Sequence, residues 1–424
     1  MRSVNRRTIL RAGIVLSGGT IMAACSGDSP AEKKFVKPDS RRVAEAEAAR
    51  EPGRVREFQL KPTASKIDLG GVTVNTWTYG GKLPGKEIRL SRGEQLKAVV
   101  DNELDAPTSV HWHGLALRND ADGVPGVTQP DIEAGASYTY QFTVPHAGTY
   151  WFHPHTGVQQ DRGLYAPLIV EDPDEAGDYD EEWVVVLDDW MDGVTGTPDE
   201  VLAELSKGMG EMDHGSGHDS EGPTAMGHML MGAQSDLLGG DAGDVAYPHF
   251  LINGKIPADP ETLKAKPGTR VRIRLINAAG DTAFRVALGG HRMRVTHTDG
   301  FACEAKETDA LLLGMGERYD VVVELGDGVF PLVAAAEGKD ALARALVRTG
   351  SGDVPAADKR PNELDGTILA YSDLDPAESV RLKKSKPDRT VDLELTGGMA
   401  DYDWAINGKP YDHDELYGID EGER

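Results

Sequence analysis

The chain has 424 residues, with 45 Lys and Arg against 70 Asp and Glu, so its formal charge is −25. A surface this acidic excludes nucleic acid as a partner, because neutralising phosphates needs a basic face; it reads as a solvated shell that keeps the protein soluble. The length exceeds what one hydrophobic core organises and predicts two or three domains.

Residues 1–25 read as an address. Arg6-Arg7 is a twin-arginine pair, and the apolar run from Ile9 to Ala24 is broken by Arg11 and too short to span a bilayer. Met22-Ala23-Ala24-Cys25 is similar to a bacterial lipoprotein cleavage site. Export by the twin-arginine route is therefore expected. Lipid on Cys25 would hold the protein at the outer face of the cytoplasmic membrane; without it the protein would be periplasmic or extracellular. Residues 26–55 are charged and Ala-rich and read as a linker with one short helix around Val43 to Arg50.

From residue 56 the pattern changes to short β-type runs bounded by Gly, Pro and Asp. Ile88 to Leu90, Leu96 to Val100, Val184 to Leu187, Val271 to Leu275 and Val321 to Val323 are such runs. One helix is predicted over Thr197 to Lys207, opened by Pro198 and Asp199, with Val201, Leu202 and Leu205 on one face. The fold class is all-β.

An internal repeat sets the domain order. Tyr79-Gly80-Gly81-Lys82 recurs as Ile252-Asn253-Gly254-Lys255 and as Ile406-Asn407-Gly408-Lys409. Each copy leads to a second glycine that opens a strand, at Gly93, Gly268 and Gly422. This predicts similar sandwiches in tandem: one over 56–175, one over 176–375, and the start of a third over 385–424. Inside the second, residues 208–232 are rich in Met and His and read as an insertion that cannot build a core. Cys303 has no His beside it and reads as a small buried hydrophobe.

Two motifs carry chemistry. His111-Trp112-His113-Gly114 and Trp151-Phe152-His153-Pro154-His155 are His-x-His pairs. On a strand, residues i and i+2 point to the same side, so each pair offers two imidazoles to a metal. Imidazole suits copper, zinc, iron and nickel. A zinc hydrolase would want a carboxylate or a further His close by; Leu115 follows Gly114, and four His without an adjacent carboxylate favour copper.

These two pairs, with Thr78 to Gly85 and Asp122-Gly123-Val124-Pro125-Gly126-Val127-Thr128-Gln129, resemble the three-domain multicopper oxidases, the laccases and cuprous oxidases. The resemblance runs from about residue 56 to the end. It implies tandem cupredoxin-like Greek-key β-sandwiches, two complete and the third only begun. It also implies copper as cofactor, dioxygen as electron acceptor, and a phenol, aromatic amine or Cu(I) as reductant. By position, His111 would bind the type 2 copper, and His113, His153 and His155 the type 3 pair. Asp122 matches a family acid that helps deliver protons, and is also an ordinary turn Asp before Gly.

The third-domain ligand motifs, His-x-x-His-x-His and His-Cys-His, are not in these 424 residues. Stepping from Gly268 as from Gly93 to His111 lands on Val286, which makes the second sandwich a spacer and His291 and His297 structural. The same step from Gly422 passes Arg424, so the chain is expected to stop inside its third domain and to be inactive alone. The Met/His insertion reads either as a Cu(I) collector, since thioethers prefer Cu(I), or as a low-complexity loop. Two other functions stay open: a copper-binding or storage protein, and a copper-free envelope scaffold.

Overall fold

A computed structural model describes residues 36–424, apart from 38–39, 50–52, 176, 209–221, 399–400, 412–416 and 421. The export segment with Cys25, most of the linker, and Met209, Met212, His214 and His218 of the insertion lie outside the described residues. Within the linker, helix α1 (Arg41–Ala48) forms where a short helix is predicted, capped by Ser40.

The first sandwich contains β1 (Val55–Leu60), β2 (Pro62–Asp68), β3 (Thr73–Tyr79), β4 (Ile88–Ser91), β5 (Gln95–Asp101), β6 (His111–His113), β7 (Ser137–Thr143), β8 (Gly148–His153) and β9 (Ala166–Glu171). One sheet runs β1-β5-β7 and the other β4-β9-β8-β6, with β2-β3 as a separate hairpin. Strict alternation along β5 turns Leu96, Ala98 and Val100 inward. Trp112, Tyr140, Phe142 and Phe152 fill the centre. The Trp112 ring lies 5.6 Å from Tyr140 and 5.4 Å from both Phe142 and Phe152.

The second sandwich begins with β10 (Glu181–Trp190) and helix α2 (Pro198–Leu205). Thr197 and Glu200 form a reciprocal capping box at the start of α2, as the sequence there favours. Val201 and Leu205 are buried, whereas Leu202 is partly exposed. Short strands β11 (Thr224–Met226), β12 (Met229–Met231), β13 (Gln234–Ser235) and β14 (Gly240–Asp241) follow. The main strands are β15 (His249–Ile252), β16 (Thr262–Lys264), β17 (Arg270–Asn277), β18 (Phe284–Leu288), β19 (Met293–Thr298), β20 (Phe301–Thr308), β21 (Ala310–Leu313), β22 (Arg318–Glu324), β23 (Val329–Ala336), β24 (Ala341–Arg348) and β25 (Ile368–Leu369). They pair as β15-β10-β17-β22-β19-β20 and β16-β24-β23-β18-β21-β25.

The described part of the insertion departs from expectation. Strands β11 and β12 form a hairpin, and Met229 joins the second core. His228 is held by Glu204 at 2.7 Å and by the Thr195 carbonyl at 3.0 Å. A polar, Gly-rich composition hides one apolar side chain with a place to go. Cys303 is buried in the same core, as its surroundings predict.

Strand β8 is buried along its whole length, because the second sandwich covers its outer face. Trp151, Tyr165, Val186, Ile276 and Ala278 make an apolar seam there. Next to it, Thr149 Oγ1 donates to Asp320 Oδ1 at 2.6 Å, and Arg318 Nε donates to the Thr149 carbonyl at 3.1 Å. Asp320 also accepts from Arg272 at 2.6 Å and Arg274 at 3.0 Å. Burial by itself would raise the Asp320 pKa; Arg274 and Arg272 outweigh that and hold it at about 2.

The repeat is a backbone device. Gly80-Gly81, Asn253-Gly254 and Asn407-Gly408 each place two successive residues at positive φ, as a tight hairpin turn with the twist of its strands requires. The third copy follows β27 (Ala405–Ile406), which pairs with β26 (Leu395–Thr396), and its turn closes on a bridge between Ile406 and Lys409.

Candidate metal centre

Strands β6 and β8 run antiparallel with His111 opposite His153, Trp112 opposite Phe152 and His113 opposite Trp151. Alternation sends Trp112 and Phe152 into the core and His111, His113, Trp151 and His153 to the other face. The two His-x-His pairs thus meet. Ligand atoms of His111, His153 and His155 lie within 4.8 Å of one another. His113 Nδ1 sits 3.2 Å from His153 Nε2, which adds the fourth imidazole. All four residues singled out in the sequence are therefore in one place.

Neighbours fix the orientation of each ring. His111 Nδ1 faces the Asp122 carbonyl at 2.7 Å, and His153 Nδ1 faces the Pro154 carbonyl at 2.9 Å. Protons on those Nδ1 atoms leave the Nε2 atoms as donors to a metal. The Trp151 ring stacks against both His153 and His113, with centroids at 4.3 and 4.8 Å. The His155 backbone N–H donates to Ser109 Oγ at 2.9 Å. Gly123, at φ +77°, packs against the Val110 carbonyl with no room for a Cβ, which brings Asp122 up to His111.

The electrostatics favour metal over protons. Burial, then the Arg318 charge, lowers His113 to about 2. Burial lowers His153 to about 3 and also lowers His155. Imidazoles that stay neutral can ligate without first losing a proton. Asp122 is held below the usual carboxylate range, chiefly by its hydrogen bond with His111, whose Nδ1 lies 3.4 Å from Oδ1.

The imidazoles open into a cleft of about 510 Å³. Its far wall comes from the second sandwich: Ala279 and Gly280 after β17, and Met315 and Gly316 before β22. Sequence reasoning missed these residues. The available hint was Gly316, where a Cβ would lie 2.9 Å from His113 Cε1. At the corresponding place in the second sandwich, Val286 is fully buried in the core. His291 is used structurally, taking the Gly326 N–H at 2.9 Å. Burial pushes the Cys303 thiol up to about 11, away from ligand chemistry.

The comparisons agree with this geometry. Family models described as "Multicopper oxidase" match residues 62–175 and 181–351. Multicopper oxidase MmcO of Mycobacterium tuberculosis is 48% identical over 97% of this chain and 79% of its own length. A copper resistance protein A homolog of Pseudomonas syringae pv. tomato is 33% identical over 72% of this chain and 54% of its own length. Among solved structures, the laccase of Botrytis aclada superposes with a TM-score of 0.58 at 29% identity, covering 77% of this chain and 58% of the laccase. The chain belongs to the multicopper oxidase family, and copper is the cofactor that this membership implies. It spans most of the mycobacterial relative and about half the length of the Pseudomonas one.

Proposed function

We propose that His111, His113, His153 and His155 form one wall of a copper centre at which dioxygen is reduced to water with electrons from a one-electron reductant. The observation that carries this reading is the convergence of four imidazoles, at least three of them held neutral, on one cleft. The donor set fits copper, since neutral imidazole is a borderline ligand that copper binds well. By the family resemblance, His111 serves the type 2 ion and His113, His153 and His155 the type 3 pair.

Bound copper supplies single-electron steps that together deliver four electrons to dioxygen. The protein's own groups do the rest. The Asp122 and Pro154 carbonyls keep the rings aimed, and Trp151 fixes their planes. Ionised Asp122, on the lining of the cleft, accepts hydrogen bonds from water and passes protons inward.

The reductant is Cu(I), or a phenol or aromatic amine. The copper resistance names of several relatives favour Cu(I), and the laccases among them favour the phenol. Export through the twin-arginine pair, with lipid on Cys25, puts this chemistry outside the cytoplasm. Four imidazoles are few for three coppers. The 424 residues assayed by themselves therefore bind copper without steady turnover, and the holoenzyme with its remaining ligands turns over.

Copper titration of the chain, read by electron paramagnetic resonance, tests the site. His153→Ala should remove at least one bound equivalent. Oxygen uptake by the holoenzyme tests the reaction: uptake that continues at the wild-type rate in His153→Ala would defeat the proposal.

A further inference from the structure

Behind the copper cleft lies a second cavity, of about 300 Å³, beneath α2. Val201 and Leu205 form its apolar side, and Asp161, Asp244, Tyr247 and Asp281 its polar side. Asp161 belongs to the 3-10 turn Gln159–Arg162, which follows the His155 segment directly. Its neighbour Gln160 lines the copper cleft, while Asp161 lines the second cavity. Gly280 lines both. A Cβ on Gly280 would sit 2.5 Å from Asp161 Oδ1, so glycine there lets the carboxyl press against the shared wall.

The groups around Asp161 are already committed. Asp189 accepts from the Gly280 and Asp281 N–H groups at 2.9 and 3.1 Å and from Thr282 Oγ1 at 2.6 Å. Lys339 is bound to Asp281 at 2.7 Å and Thr282 at 3.1 Å. Asp192 faces Arg162 at 3.4 Å. Asp161 has one hydrogen bond, from Tyr247 O–H at 3.2 Å, and no ion-pair partner among the described residues. Burial first, then the negative charge of Asp189, pushes its carboxyl up to about 7; Asp281 and Asp192 add to this, and the Tyr247 hydrogen bond opposes it. Asp244, on the same cavity, is shifted upward too, again by burial first.

We propose that Asp161 is a proton-relay residue for dioxygen reduction, loaded from the cavity beneath α2 and discharging towards the copper cleft past Gly280. The proposal rests on the oxidase reading above. Each dioxygen takes four electrons and four protons to give two waters. Asp161 contributes a proton as its carboxylic acid becomes carboxylate, and solvent water entering the cavity restores it. Asp122, on the lining of the copper cleft, is held ionised at neutral pH, whereas Asp161, behind Gly280, keeps its proton to higher pH.

The test is the pH profile of kcat for oxygen uptake by the copper-loaded holoenzyme. Wild-type kcat should fall as pH rises through Asp161's titration. Asp161→Asn, which keeps the shape but cannot donate, should lower kcat by about 100-fold or more with copper content and the KM for reductant unchanged. Asp161→Glu should restore most of the rate with a displaced profile. An Asp161→Asn enzyme with the wild-type kcat and profile overturns the proposal and leaves the oxidase reading intact. A wild-type holoenzyme that consumes no dioxygen overturns the oxidase reading instead. In that case infrared titration of the copper-free chain still decides Asp161's proton. A carboxylic C=O band that titrates near neutral pH and vanishes in Asp161→Asn is expected, and its absence refutes the assignment.

Discussion

Replacing Asp320 with alanine probes how the second sandwich holds the histidine face of the first. The Asp320 side chain is 1% exposed and takes hydrogen bonds from Arg272, Arg274 and Thr149. Removing one partner from a buried ion network strands the others in a poorly solvated place, which costs about 3–5 kcal/mol. Arg272 keeps Glu175 at 2.7 Å and Arg274 keeps Glu182 at 2.7 Å, so the loss should fall near the low end, about 3 kcal/mol. Urea unfolding of the copper-free chain measures it as a drop in midpoint without a change in slope. The triple variant Arg272→Met, Arg274→Met, Asp320→Leu removes the charges together and should recover most of the loss, because a buried ion network often does no better than packed apolar side chains. Thr149 sits on the same strand as His153, so Asp320→Ala should also weaken copper binding. A cost below about 1 kcal/mol for Asp320→Ala, or a triple variant as unstable as the single one, would refute this account of the interface.

Acid should act through the same network. The folded state lowers Asp320 from 3.8 to about 2, so its stabilisation is complete above the unfolded value and is lost as pH falls through the folded one. Unfolding followed between pH 4 and pH 2 should show that loss, and Asp320→Asn should flatten it. Gly316→Ala would place a Cβ against the His113 ring at a backbone φ of +78° and should cut copper affinity at least tenfold while leaving β6 and β8 folded, checked by titration and circular dichroism. Asp122→Asn keeps the carbonyl that orients His111 and removes the charge, so copper should still load while the rate of oxygen uptake by the holoenzyme falls.

Much of this was legible in the sequence because it is local. A His-x-His on a strand fixes two side chains on one face, and the Gly-Gly and Asn-Gly turns announce themselves by needing positive φ. The imidazoles of the two His-x-His pairs therefore converge on one side of the first sandwich. What was not legible is what depends on pairing between distant segments. Thr149 meets Asp320, and Met315-Gly316 closes the cleft over His113, through a domain contact that leaves no periodic trace. Arg272 and Arg274 look like the polar alternation of a half-exposed strand, yet they are buried because β17 is covered on both faces. Asp161 looks like an ordinary turn acid until Gly280 and Asp189 are seen beside it. Met229 was lost in a polar stretch because one apolar anchor does not change a composition.

The proposed copper ligands are the four imidazoles on β6 and β8 and in the His155 segment. The most direct measurement is copper stoichiometry with electron paramagnetic resonance on the wild-type chain and on a variant with His111, His113, His153 and His155 all changed to alanine. The wild type should bind copper with nitrogen hyperfine structure, and the variant should fold and bind none tightly. A folded variant that retains the wild-type stoichiometry and spectrum would contradict the account.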